Sequence, residues 1–591
     1  MAATGNQGAR GIPPRWTSSA KSGVGTALAP SCRVWFTLSH GILNEVYYPR
    51  VDTACIRDLG LIVTGPDGYF SEEKRDAESV VETVEDGVPA YRLTNTAKDG
   101  RFRIEKHVLI DPDRETVLQR ITFTALEGTP SDYRLYALVS PHLGNAGMGN
   151  TAWVGDYKGL PMLFAAGRRR LALALACSSG FAAGSAGYVG VSDGWRQLRA
   201  TGRIDPAQHR AEDGNVALTG EIDLAATPEP FVLALGFGPG PDEAAYNARA
   251  SLMAGFDRAE RTYVAGWRRW QRTLEPLDEP PAPPPEPNRY RISTAVLAAH
   301  RPLSFKGPAV ASLSIPWGFS KGDDDLGGYH LVWPRDLVET ASGFLAAGAA
   351  EDALGILAYL RTIQEADGHW PQNSWLNGRP YWSGIQMDEC AFPILLADAL
   401  KRAGALHGEA LDAYLPMIEA AATYVVRNGP VTGEDRWEED GGFSPFTLAV
   451  EITALLAAAD ILETAGRGAH ADYLRETADA WNDQIERWTF VTGNDICEKH
   501  GVSGYYIRIS PPNVADSDSP LSGFVPIKNR PPNESSLPVE EVISPDALAL
   551  VRFGLRAADD PRIVDTVKVI DAHLKRDLPH GPLWYRDTGD G

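Results

Sequence analysis

The chain has 591 residues, 43% hydrophobic and 23% charged, which suits several globular domains and excludes global disorder. Its 56 Lys and Arg stand against 77 Asp and Glu, a formal net charge of −21, so no nucleic acid, no anionic membrane and no anionic polymer is expected as partner. A neutral or cationic substrate remains open, as does plain solubility.

The start, MAATGNQGARGIPPRW, has no basic segment followed by an apolar one and does not read as a signal peptide. Residues 1–240 read as an antiparallel β-sandwich domain. Alternation is clear in RFRIEKHVLI (101–110), TVLQRITFTAL (116–126) and YRLYALVSPH (133–142), and apolar runs follow in LALALAC (171–177) and PFVLALGFG (230–238). Pro66-Asp67-Gly68, Asp99-Gly100 and Asp193-Gly194 mark turns between them.

From 241 the period becomes helical. The segment 241–289 reads as a helical and proline-rich linker, because EPLDEPPAPPPEPN (275–288) holds seven prolines and makes a stiff connector. Residues 290–591 read as helices throughout. The first is 291–300, and later starts lie near Asp336, Ala350, Asp388, Leu411, Ser444, Ala469, Ser544 and Asp560. Ser444-Pro445, Ser544-Pro545 and Asp560-Pro561 each place a capping side chain before a proline at the first helical position. Leu448, Ile452, Leu455 and Ala459 form one stripe; Leu474, Ala478, Trp481 and Ile485 form the next. No stretch of about 18 unbroken apolar residues exists, so no transmembrane helix is expected.

Five cysteines are scattered without a CxxC, which predicts free buried thiols and no zinc site. There is no GxGxxG after a strand, no GxxxxGK[ST], no GxSxG and no HExxH. KGDDDLGG (321–328) lacks the ligand spacing of an EF-hand and reads as a solvated acidic loop, with calcium as the alternative.

Fifteen tryptophans against six methionines is the unusual feature. Trp317, Trp333, Trp370, Trp375, Trp382, Trp437 and Trp584 fall between the predicted helices, not on their stripes. Carboxylates and arginines accompany them in YHLVWPRD (329–336), GHWPQNSWLNGRPYWSGIQMDE (368–389) and RWEEDGG (436–442). Indole faces stack on sugar rings while acids take hydroxyls, so these segments suit a carbohydrate surface; the alternative is that the indoles cap core ends. Two consecutive acids beside a tryptophan suit divided roles, one a protonated general acid and the other ionised.

YHLVWPRD, YWSGIQMDE and RWEEDGGFSP, in that order after a β-sandwich and a linker, resemble glycoside hydrolase family 15, the bacterial glucoamylase and glucodextranase type. The resemblance implies a multidomain β + α fold: an N-terminal antiparallel super-β-sandwich followed by an (α/α)6 helical barrel. It implies an exo-acting, inverting α-glucoside hydrolase that releases β-glucose from the ends of neutral α-glucans, starch-like or dextran-like. Glu438 then resembles the proton donor, and Glu439 the neighbouring acid that binds hydroxyls. Arg335 and Asp336 resemble the pair that grips the terminal glucose. Tyr329, Trp333, Trp382 and Trp437 resemble the pocket walls, and WYRD places Trp584 and Arg586 at the next sugar, with Asp388 and Glu389 supporting from behind. No cofactor is required by such a mechanism. A transglucosidase and a trehalose hydrolase are alternatives within the family.

About nine helices are read after the linker, fewer than the family barrel holds, and no base carboxylate is placed; Glu534, Glu540 and Glu541 lie in no matching motif. The expectation is a barrel incomplete at its C-terminal end, completed by a C-terminal fragment as a second chain. Without that fragment, a non-catalytic glucan-binding protein is the alternative. The expected compartment is extracellular or periplasmic, with the cytoplasm as the alternative.

Overall fold

The computed structural model describes residues 10–225, 230–278, 287–316, 321–324, 326–512, 523–528, 530–531 and 533–589. It divides into two compact units, Met1–Val332 with Ala346–Ala349, and Trp333–Leu345 with Ala350–Gly591. The centre of the proline run at 279–286, Trp317 and Asp325 lie outside the described residues.

In the first unit, alternating side chains build two antiparallel sheets. One runs in the order Gly23–Thr26, Trp35–Ser39, Ile42–Tyr47, Ala54–Thr64, Arg134–Pro141, Val216–Ile222, Ala183–Tyr188, with Phe70–Glu72 pairing Ala54–Thr64. The other runs Arg210–Gly214, Asn150–Tyr157, Leu160–Ala166, Ala172–Cys177, Phe231–Gly238, Thr116–Ala125, Phe102–Ile110, Val88–Ala97, Ala77–Glu85. All five runs predicted as strands are strands. Asp193-Gly194 differs. It begins a helix, Gly194–Thr201, because the Asp193 carboxylate accepts the Arg196 N–H at 2.9 Å and caps it.

The apolar runs Ala172–Cys177 and Phe231–Gly238 are buried along almost their whole length, because helix Pro241–Ala254 covers them. Gly236 permits this close approach: a Cβ there would lie 2.3 Å from the Ala244 carbonyl oxygen. Helix Phe256–Gln271 buries the stripe Phe256, Ala259, Tyr263 and Trp267 on the same unit. Tyr263 donates to the Pro89 carbonyl at 2.8 Å and Trp267 to that of Thr26 at 2.9 Å. The segment expected as a helical linker thus packs on the sandwich as far as Gln271, and Arg289–Ala299, expected as the first barrel helix, also belongs to the first unit. In the acidic run after 321, the Asp323 carboxylate accepts the Gly147 and Met148 N–H groups at 2.7 and 3.0 Å. All five cysteines are buried and free.

A buried ion pair ties the two sheets together. Lys106 Nζ lies 2.6 Å from Glu73 Oε1, with both side chains at most 1% exposed. Lys106 also donates to the Gly41 carbonyl at 2.7 Å, and Glu73 Oε2 accepts the Leu61 N–H at 3.0 Å. Burial pulls the Lys106 ammonium pKa down and the Glu73 carboxylate opposes it.

The second unit is helical: Pro334–Ala346, Ala350–Ile363, Met387–Arg402, Leu415–Asn428, Pro445–Thr464, Gly468–Asn482 and Pro561–Leu574 are its long helices. Pro445–Thr464 is apolar around its whole circumference and long enough to cross a membrane by composition, yet 83% of that stretch is buried inside the protein. It packs between Met387–Arg402 and Gly468–Asn482, and the three-residue link at 465–467 makes the latter pair antiparallel. Asp560 and Ser544 cap as predicted, but Ser544 opens only a 3-10 turn and one helical turn, Pro545–Arg552. Ser444 makes no capping hydrogen bond. The stripe through Trp481 breaks at Asn482, and Ile485 starts a separate short helix.

Replacing Lys106 by Met leaves Glu73 buried without its cation and should lower stability by about 3–5 kcal/mol. Adding Glu73→Leu should recover most of that. Denaturant unfolding measures both, and a Lys106→Met midpoint equal to that of the parent would refute the account.

Candidate active site

Two helix starts and one turn of the second unit bring the acidic and aromatic motifs together. Trp333 precedes Pro334–Ala346, which presents Arg335 and Asp336 in its first turn. Gln386, Asp388 and Glu389 open Met387–Arg402. The turn 432–442 is closed by a bridge between Thr432 and Gly442, and within it the Asp435 carboxylate accepts the Glu439 N–H at 2.9 Å. Glu438 donates its N–H to the Asp435 carbonyl at 2.9 Å and sits at φ 63°. Phe443 pairs with Ser510, so a second segment backs the turn. Gly442 is required there: a Cβ would lie 2.2 Å from the Ser510 carbonyl oxygen.

Glu438 accepts the Trp333 indole N–H at 3.0 Å. Trp333 is 3% exposed, so it meets the site by that N–H and not by a ring face. Arg335 donates to Gln386 Oε1 at 2.8 Å, to Asp388 Oδ2 at 2.7 Å and to the Arg436 carbonyl at 3.3 Å. Glu389 lies 3.6 Å from it. Burial pushes the Asp336 carboxyl pKa up, with Arg335 opposing and Glu438 adding to the rise. Burial pushes Glu389 far above its ordinary range, Arg335 opposing.

Glu439, expected to bind hydroxyls, is engaged by two arginines. Its side chain is 4% exposed, with Oε2 on Arg508 and Oε1 on Arg586, both at 2.9 Å. Arg508 is fully buried; it also contacts Asp440 at 2.6 Å, Asp587 at 3.6 Å and Asp435 at 3.7 Å. Burial raises the Asp435 and Asp440 carboxyls to about 6 each, with Arg508 pulling both down. Two guanidinium groups lie over the Trp437 ring, Arg436 at 4.3 Å and Arg586 at 5.1 Å from its centre. Lys528 donates to the Glu438 carbonyl.

Glu438, Glu439, Trp333, Arg335, Trp437 and Arg586 therefore share one network, with Asp336 coupled to it electrostatically. Trp382 lies in the hairpin Asn373–Ser374 and Pro380–Trp382, its ring 5.3 Å from Tyr381. Trp584 lies on the hairpin Lys575–Leu578 and Gly581–Trp584 and donates to Asp571 at 2.8 Å. Tyr329 belongs to the first unit, where its carbonyl accepts the Ser312 N–H at 2.8 Å. Trp370 is a core residue, fully buried and donating to the Leu360 carbonyl at 2.9 Å. The Glu540 and Glu541 carbonyls accept from Tyr505 and Thr588. Among the described residues, no group of three or more His, Cys, Asp and Glu forms a metal-ligand set.

Arg508 is the main residue missed from sequence. Its signal is a charge set inside the otherwise apolar run YYIRI, where every residue from Gly504 to Ser510 is buried.

Residues 6–272 match the model "Glucodextranase, domain N" and residues 364–586 match "Glycosyl hydrolases family 15". The chain is 37% identical over 579 residues to a glucoamylase of Clostridium sp. (strain G0005), covering 98% of this chain and 78% of that one. An uncharacterized glycosyl hydrolase of Methanocaldococcus jannaschii is 25% identical over 252 residues, covering 42% of this chain and 35% of that one. A crystal structure of a bacterial glucoamylase complexed with acarbose superimposes with a TM-score of 0.90 at 36% identity, covering 100% of this chain and 83% of that one. The fold class is thus a β-sandwich followed by a helical barrel.

Arg508→Met would leave four acids without their shared cation. A loss of about 3–5 kcal/mol is expected, read as a lowered unfolding midpoint together with changed tryptophan fluorescence from Trp437. An unchanged midpoint and spectrum would show that the turn stands without Arg508.

Proposed function

The chain belongs to glycosyl hydrolases family 15 and is a glycoside hydrolase of the glucoamylase type, and on that premise we propose that it acts as an exo-acting, inverting α-glucosidase with Glu438 as the general acid. The observation that carries the assignment is the carboxylate of Glu438, presented on a left-handed turn and fixed by the Trp333 N–H. Arg335 and Asp336, at the helix start beside it, hold the hydroxyls of the terminal sugar. Arg586 and Trp437 border the site on the other side of the turn.

In the proposed step, the Glu438 carboxyl gives its proton to the glycosidic oxygen as the C1–O bond breaks. Water, losing its proton to a carboxylate base, adds to C1 from the opposite face, and glucose leaves as the β-anomer. In inverting enzymes the two carboxyl groups stand roughly 6.5–9.5 Å apart to admit that water. Glu439, with both oxygens on guanidinium groups, acts as a strut for Glu438 in this scheme and not as the base. The substrate class is a neutral α-linked glucose oligosaccharide or glucan, a reading supported by the acarbose complex of the related glucoamylase.

Glu438→Gln keeps an oxygen to accept the Trp333 N–H but has no proton to give. Its kcat on maltotriose should fall by about 10²–10⁴-fold with KM little changed. A kcat near that of the parent would remove the acid assignment.

Proton NMR of the first product formed from maltose, isomaltose and trehalose should show β-glucose from the hydrolysed linkage and rank the three linkages. The leaving half supplies its own anomers, one α-glucose per trehalose and the equilibrium mixture from maltose and isomaltose, so α-glucose in excess of that share would contradict inversion. A new oligosaccharide in place of free glucose would identify transfer to sugar.

A further inference from the structure

The first unit holds a cavity that the hydrolase assignment does not use. Its volume is about 570 Å³, in the range that admits a small molecule. Leu138 and Ser140, two apart on one strand and so on one face of the pleat, line it. Arg57, Lys74, Arg75 and Arg196 stand around it, with Asp58, Glu72 and Trp195.

The charge of these walls is one-sided. Asp58 Oδ2 is shared by two cations, Lys74 at 3.1 Å and Arg57 at 3.7 Å, which leaves one positive charge in excess. Glu72 Oε2 takes both the Trp195 indole N–H at 2.9 Å and Arg75 Nε at 3.3 Å. Asp193 caps the helix that carries Trp195 and Arg196. Asp58 and Glu72 are therefore already engaged by cations, whereas charged donors remain: the buried Arg57 Nε has no partner, and Lys74, with one proton on Asp58, has two more to offer; Asn215 Oδ1 is a neutral acceptor left without a partner. Lys74 and Arg57 are only 19% and 34% exposed, so water screens their charge less than it would at an open surface.

The surrounding titration agrees with this arrangement. Burial acts to raise the Asp58 carboxyl, but Arg57 and Lys74 outweigh it and hold it at about 2. Burial first, and then Arg57, push the imidazole of His142 down to about 3, so it stays neutral and adds no charge. The cavity thus keeps a net positive lining in a chain whose overall charge is −21.

We propose that this cavity binds the oxyanion of a small organic ligand of sugar size, a phosphate or carboxylate, with Lys74 and Arg57 as its charge partners and Trp195 beside it. A ligand rich in acceptors and negative in charge supplies what the walls lack.

Isothermal titration calorimetry of the whole chain with inorganic phosphate, glucose 6-phosphate, glucuronate and maltose tests this. Saturable binding of at least one anion below ~10 mM, weakening as salt rises, is expected; which anion binds tells phosphate from carboxylate. Lys74→Gln should weaken that binding about tenfold. The exposed Arg196→Gln and Arg75→Gln should weaken it too, and they keep the test valid if Lys74→Gln does not fold. Activity on maltose should be unchanged in all three. Binding of maltose alone, no binding of any anion, or anion binding indifferent to these variants would each overturn the proposal.

Discussion

The second unit depends on keeping several buried carboxylates close to one another. Asp435, Glu439, Asp440 and Asp587 meet around a single guanidinium, Arg508, that has no exposed surface. Removed from water, such acids repel one another and resist ionisation, so a turn bearing them would spring open without a cation inside it. Arg508 draws Asp435 and Asp440 down against their burial, yet both remain near 6, so compensation is partial. The same logic recurs one layer away, where Arg335 is set against Asp388, Glu389 and Asp336.

That electrostatic frame explains the backbone. Glu438 occupies a left-handed conformation that costs a residue with a Cβ about 1–2 kcal/mol, and it is held there by the 435–438 hydrogen bond and by Lys528 on its carbonyl. The Thr432–Gly442 bridge closes the turn, and Gly442 lets Ser510 pair with Phe443 behind it. Arg508 and Ser510 are two residues apart on this backing segment. One short run therefore supplies both the pairing and the charge that fix the turn.

Much of the fold was legible from local pattern. Three of the strand runs alternate with a period of two, the other two are short continuous apolar runs, and the caps Asp560 and Ser544, each before a proline, are local chemistry. What failed was what depends on distant partners. The helices 241–271 read as a linker because their amphipathic stripe does not say what it packs on; the answer is the sandwich, through Tyr263 and Trp267. Asp193-Gly194 read as a turn because a helix cap and a turn use the same residues. In the site, the motif segments were legible because aromatic and acidic residues cluster in sequence. The partners of Glu439 were not, since Arg508 and Arg586 lie far along the chain.

The tryptophans show how spacing alone misjudges function. Seven fell between helices, and one physical cue, a ring free of the core, was read for all of them. Trp370 is fully buried and satisfied by a carbonyl, so its place between helices reflects a tight loop and not a sugar contact. Trp333 is nearly as buried, but its N–H goes to a carboxylate in place of a carbonyl, and that one exchange of acceptor turns a core residue into a positioning one. Trp437 is different again, its ring in contact with both Arg436 and Arg586. A ring with two cations over it is held by electrostatics as well as by area, which keeps the turn rigid where the acid is presented. The indoles thus serve the same end as Arg508: they immobilise Glu438 through neighbours that sequence distance conceals.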